Sequence, residues 1–214
     1  MEEILPGVVH WTATHPNIGT QVDSWWLPEG GVLVDALVPP DGGLDWFASQ
    51  PVAPRAIVLS NRHHYRAGGH FRERFGCRVH VPRAGLSEFG EDRQPVEAYD
   101  PGDELPGGLV AHEIGALCAD DMALYLPSVR AVFFADGVVG VRGDRPGRIG
   151  FVPPSLMDDP EETTRGLLAS LRRLLDEIPD LRHVLMAHGG AVLDDGRAEL
   201  EALVAEGGRT AFEY

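Results

Sequence analysis

Residues 55–60 (RAIVLS) form a short, unbroken apolar run. A chain buries such a run as a strand covered on both faces. It is followed by NRHHYRAGG and then HFRERFG. This order predicts a strand, a polar loop and a short helix stopped at Gly76, because glycine suits the left-handed end of a helix. A covered strand feeding a helix requires a layered α/β arrangement. The loop gathers Arg62, His63, His64, Tyr65 and Arg66, with Gly68 and Gly69 permitting a tight turn into the helix. Functional side chains collect in such loops. Histidine-rich loops are also common as solvated turns, so the loop alone decides nothing.

Apolar runs alternate with Gly and Pro on both sides of this unit. Upstream, residues 7–13 read as a strand, and 22–27 with 31–37 as a hairpin around Pro28-Glu29-Gly30. Residues 44–49 suit a short helix. Trp25 and Trp26 are adjacent in a strand and point to opposite faces, so one is expected in the core and the other at an edge or interface. Downstream, 77–81, 109–114, 122–126 and 131–135 read as strands, with shorter ones at 138–141 and 149–152 and a loop-like stretch over 84–108. Pro160-Glu161-Glu162 opens the longest helix, with acids where they complement the helix dipole. Leu167, Leu168, Leu171, Leu174, Leu175 and Ile178 follow at helical spacing, and Pro179 closes it. A strand at 183–187 precedes a last helix over 194–206, capped by Asp194 or Asp195 and stopped at Gly207-Gly208. No repeat or linker is evident, which predicts one mixed α/β domain over residues 1–214.

Charge narrows the function. The chain has 33 acidic residues against 18 basic ones, all of them arginine, for a formal net charge of −15. That balance repels phosphate backbones and anionic lipid. The expected partner is a small-molecule substrate or ligand, with no nucleic acid and no membrane; oligomeric state is not assigned. Cys77 and Cys118 make no disulfide framework. The start, MEEILPGVVHW, has acids where a signal peptide needs bases. The expectation is a cytoplasmic protein.

Residues 60–69 (SNRHHYRAGG) resemble, without a gap, the T-H-x-H-x-D-H-x-G-G loop of the metallo-β-lactamase superfamily. Ala135-Asp136 after a strand is similar to that family's G-D, which supplies a bridging carboxylate. Ala187-His188-Gly189 is similar to its late G-H-G, VLDDGRAELEALVAEGG to its C-terminal helix, and Val34-Asp35 to its early L-I-D. The resemblance covers nearly the whole chain in the family's order. It implies an αβ/βα four-layer sandwich and a metal-dependent hydrolase of a small ester, thioester or lactone.

The departures are informative. In that family two metals are held by the loop's three histidines and aspartate, a central P-G-H, the bridging aspartate and the late histidine. Here the corresponding loop positions are Asn61, His63, Tyr65 and Arg66, and the central histidine falls on Leu117, with His112 the nearest substitute. The resemblance therefore leaves His63, Asp136 and His188 as metal ligands, for at most one zinc or iron ion or none, with Asn61, Tyr65 and Arg66 as catalytic candidates. His64 is expected to point away. A guanidinium about 5 Å from a dication, at an effective dielectric of about 20, costs roughly 6–7 kcal/mol. Arg66 is accordingly expected to replace a second metal by pairing with Asp136. The contrasting expectation is a non-catalytic descendant binding an anionic small molecule in an arginine-lined cleft. A third is a metal-free catalyst built from His63, Tyr65 and Arg66.

Overall fold

The computed structural model describes residues 1–141 and 147–212. Its first sheet takes seven strands in chain order: β1 (Glu2–Leu5), β2 (Val8–Thr14), β3 (Gln21–Leu27), β4 (Val32–Val34), β5 (Ala56–Val58), β6 (Arg78–Pro82) and β7 (Glu97–Tyr99). Pairing is antiparallel from β1 to β4 and parallel from β4 to β7. Parallel neighbours need crossovers: α1 (Gly43–Ala48) joins β4 to β5, α2 (Gly68–Phe75) joins β5 to β6, and 3₁₀ turns over Arg83–Glu88 and Glu91–Arg93 join β6 to β7. Gly76 ends α2 at φ 71°, as the sequence predicts.

The second sheet begins with β8 (Glu104–Leu105), β9 (Leu109–Glu113), β10 (Met122–Leu126) and β11 (Ala131–Phe134). A ribbon of β12 (Val139–Gly140) and β13 (Ile149–Gly150) and the long α3 (Pro160–Glu177) follow. The chain then returns as β14 (His183–Met186), parallel to β11, and β15 (Ala191–Val192), before α4 (Gly196–Ala205).

Period-2 alternation sorts side chains between layers. Trp25, Val34 and Val58 of the first sheet meet Leu124, Phe133 and Leu185 of the second. Trp26, Leu33 and Ile57, on the opposite face, pack under Phe47 of α1 and Phe71 of α2. Val132, Phe134 and Val184 pack under Leu167, Leu171 and Leu174 of α3 and Leu200 and Leu203 of α4. The layers run helix, sheet, sheet, helix, the sandwich that the resemblance implies. One expectation changes: both Trp25 and Trp26 are core residues, at 1% and 0% exposure. Their sheet is covered on both faces, so neither indole reaches an edge. The stretch 84–108 contains β7 and β8, short edge strands that carry too few residues to show alternation.

Candidate functional site

Strand register brings the candidate residues to one rim. Val34 lies opposite Val58 in the parallel β4–β5 pair, so Asp35 and Ser60 leave the first sheet together. Phe134 lies opposite Met186 in the parallel β11–β14 pair, so Asp136 and His188, each two residues further on, emerge together from the second. Main-chain hydrogen bonds tie the two rims, with Asp23 N donating to Ala187 O and Met122 N to Ser60 O, each at 2.9 Å. The loop after β5 tightens into a 3₁₀ turn over Arg62–Tyr65. Asn61 caps that turn, its Oδ1 accepting from His63 N at 3.0 Å, and its Nδ2 donates to Asp136 Oδ2 at 2.7 Å. Arg62 pins the outer side: its backbone N–H donates to Asp120 at 2.7 Å, and its guanidinium pairs with the same buried carboxylate.

His64 lies between two carboxylates. Its Nδ1 is 3.0 Å from both Asp35 Oδ2 and Ser60 Oγ, and its Nε2 is 3.3 Å from Asp136 Oδ1. His188 Nε2 approaches that same Asp136 oxygen at 3.1 Å. Burial alone would depress the His64 imidazole, but Asp35 and then Asp136 overcome it and lift the group to about 9. Burial would raise Asp136, yet His64 and His188 hold it well below the usual carboxylate range. Asp121 goes the other way: burial and the neighbouring Asp136 push it well above that range. Its Oδ2 is buried without a partner.

The structure gathers Asn61, Asp136 and His188 as the sequence leads one to expect, but corrects three positions. His63 is exposed and His64 is buried in the cluster. A 3₁₀ turn sets successive side chains about 120° apart, so adjacent imidazoles cannot share one cleft, and the pins at Asn61 and Arg62 select His64. Arg66 does not pair with Asp136. Its Nη1 donates to the carbonyls of Asp23, at 2.7 Å, and Asp35, and its Nη2 reaches Ala187 O at 3.4 Å. The Asp136 oxygens are already engaged by Asn61, His64 and His188, whereas a carbonyl oxygen has two lone pairs and can take a further donor. Tyr65 packs into the outer core against Phe89, with Arg93 over its ring and its hydroxyl buried without a partner. The trio His63, Tyr65 and Arg66 is therefore not assembled. Leu117 packs beside Val139 and Val152, and His112 is engaged by Glu177 at 2.9 Å. Sequence reasoning missed Asp23, Asp120 and Asp121; for Asp23 the available signal was an acid inside a largely apolar strand, VDSWWL, and Asp120 and Asp121, in the loop before β10, carried none.

His64, Asp136 and His188 each offer one ligand atom, all within 4.8 Å of one another. Bonds of about 2.0–2.1 Å to a tetrahedral zinc place ligands roughly 3.3 Å apart. The two distances to Asp136 Oδ1, 3.3 and 3.1 Å, are compatible with that spacing. Asp35 behind Nδ1 stands where an outer carboxylate would fix His64 if its Nε2 held an ion. Against the cost of burial, Asp35, Asp136 and Asp23 all lie close enough to Arg66 to favour its charged form. The Arg66 guanidinium is fixed beside the cluster by the carbonyls of Asp23, Asp35 and Ala187.

The sequence matches the family model for the metallo-beta-lactamase superfamily over residues 5–206. No curated protein matches it. Solved structures share its fold. The DIM-1 metallo-beta-lactamase superposes with a TM-score of 0.73 at 12% identity, covering 96% of each chain. A metallo-beta-lactamase family protein from Thermus thermophilus gives 0.67 at 19% identity, over 95% of this chain and 80% of that one. TTHA1623, solved in a di-iron-bound form, gives 0.64 at 21% identity, over 89% of this chain and 98% of its own. Sandwich, rim cluster and a family match from β1 into the end of α4 agree, and the chain belongs to the metallo-β-lactamase superfamily.

Proposed function

We propose that this protein is a hydrolase of small esters, thioesters or lactones that works with one zinc or iron ion held by His64, Asp136 and His188. The observation that carries the reading is the spacing of those ligand atoms, 3.1 and 3.3 Å about one Asp136 oxygen, with Asp35 braced behind His64. When bound, the ion supplies Lewis acidity and an activated water at neutral pH. The chain's own residues prepare the site. Asp35 and Ser60 hold the Nδ1 side of His64, which leaves Nε2 aimed at the cluster. Asn61 takes up Asp136 Oδ2 and leaves Oδ1 facing both imidazoles. Asp136 and His188 keep about a fifth of their side-chain surface open, at 23% and 19%, so a small substrate has access.

The alternative, an arginine-lined cleft binding an anionic small molecule without catalysis, draws less support. Arg62 is engaged by Asp120 and Arg66 by three carbonyls, so neither guanidinium is presented to a ligand. The test is metal analysis of protein purified without chelators, with a hydrolysis panel of aryl esters, short thioesters and lactones. The expected result is one equivalent of zinc or iron, turnover of at least one substrate class, and loss of turnover on chelation or in His64→Ala. Two equivalents of metal, or turnover indifferent to chelator, overturns the reading. A bound ion without turnover transfers weight to the binding protein.

A further inference from the structure

Two glycines directly after a metal ligand make a poor tether, because glycine has the most backbone freedom to lose. His188 is followed by Gly189 and Gly190, at φ 101° and 82°. From one side the turn is fixed by Gly140, whose N–H donates to His188 O at 2.8 Å. From the other side it is fixed by a single carboxylate. Asp23 Oδ2 accepts from Gly189 N at 2.8 Å and from Gly190 N at 2.9 Å.

Asp23 lies on β3 at a position that alternation assigns to the face between the sheets, the same face as Trp25. A carboxylate there is costly unless its oxygens are satisfied. Asp23 is 3% exposed and fully engaged: Oδ1 is 2.7 Å from His10 Nε2, and His10 in turn stacks on Trp25 at 4.4 Å between ring centroids. The backbone of Asp23 joins the same clasp, its N–H donating to Ala187 O and its carbonyl accepting from Arg66. Every polar group of this residue thus holds either the His188 turn or an element that backs it.

We infer that Asp23 is a positioning residue that sets His188 for metal binding, with His10 fixing the orientation of its carboxylate. The inference rests on the metal-site reading above. It is tested with Asp23→Ala, Asp23→Asn and, as a matched destabilised control far from the rim, Leu203→Ala. The readouts are cobalt(II) affinity and the ligand-field spectrum of the cobalt protein, together with hydrogen exchange at the Gly189 and Gly190 amides. Asp23→Ala should weaken cobalt binding about 10- to 100-fold, as loss of an outer partner of a ligating histidine does, and alter the spectrum. It should also speed exchange at both glycines. Asp23→Asn, whose side-chain oxygen can still accept from the glycines while His10 changes tautomer, should stay within about threefold of wild type. Leu203→Ala should lower the melting temperature and leave cobalt affinity unchanged. If Asp23→Ala binds cobalt like Leu203→Ala, with unaltered spectrum, the residue is only structural and the inference is overturned. If wild-type protein binds no cobalt, the metal-site reading fails; unchanged glycine exchange in Asp23→Ala separately rejects the clasp.

Discussion

Replacing His63 or His64 by alanine separates two imidazoles that are neighbours in sequence and opposites in environment. His63 is exposed, so His63→Ala should change stability by no more than about 0.5 kcal/mol and leave metal content unchanged. His64→Ala strips Asp35 and Asp136 of their shared partner. It should abolish the bound equivalent, and elemental analysis of the two variants decides between them. The raised His64 pKa adds a pH signature. In metal-free protein the folded group titrates near 9 against 6.5 unperturbed. A raised pKa stabilises fully below about pH 6.5, and that contribution, on the order of 3 kcal/mol, is lost as pH climbs through 9. Metal binding runs in the opposite direction, because an ion must displace the Nε2 proton. Apparent metal affinity should rise by up to about tenfold per pH unit and level off near pH 9. Chelator competition at several pH values, beside melts of metal-free protein, checks both slopes. The choice of His64 over His63 was not legible in the sequence. The motif fixes which residues lie in the loop, but the 3₁₀ winding and the pins to Asp120 and Asp136 fix which of them faces inward.

Elements with strong local signals were legible, and those defined by tertiary pairing were not. Helix α3 carries its own instructions. Asp159 caps it by accepting from Glu162 N at 2.9 Å, Pro160 occupies the first turn, and Leu167, Leu171 and Leu174 line one buried face. Asp159→Ala should cost about 1 kcal/mol, and Leu171→Ala about 2–5 kcal/mol through the lost contacts and the cavity left behind; denaturant unfolding measures both. Edge strands β1, β8 and β15 are two to four residues long, each paired with a single neighbour, and no alternation announces them. The ribbon is a further case. Gly140 meets the His188 turn so closely that a Cβ would lie 2.4 Å from Gly189 O. Nothing near Gly140 in the sequence points to residue 189. Gly140→Ala should displace the turn and reduce metal affinity more than it reduces the melting temperature of the metal-free protein.

At the scale of the whole molecule the candidate site is also the seam between two sheets. Asp136 and His188 come together from the second sheet by strand register, while Asp35 leaves the end of β4 in the first and His64 comes from the 3₁₀ turn that follows β5. What remained illegible was how the halves are locked, because the lock consists of buried acids whose partners lie far away in sequence. Arg62 and Asp120 are the clearest instance, 58 residues apart. Asp120 is fully buried while Arg62 keeps 26% of its side-chain surface. The pair is therefore asymmetric. Arg62→Ala leaves a carboxylate in the interior with the backbone N–H of residue 62 still beside it, whereas Asp120→Ala leaves a guanidinium with a route to water. Breaking a buried pair from one side costs about 3–5 kcal/mol when the remaining charge stays buried. Arg62→Ala should approach that range and Asp120→Ala should fall below it. The double variant should be less damaging than the sum of the two, since it leaves no uncompensated charge. Denaturant unfolding of the three metal-free proteins measures the cycle. Strict additivity, or a larger loss in Asp120→Ala, would show that the carboxylate holds the seam through the Arg62 backbone amide and not through its side chain.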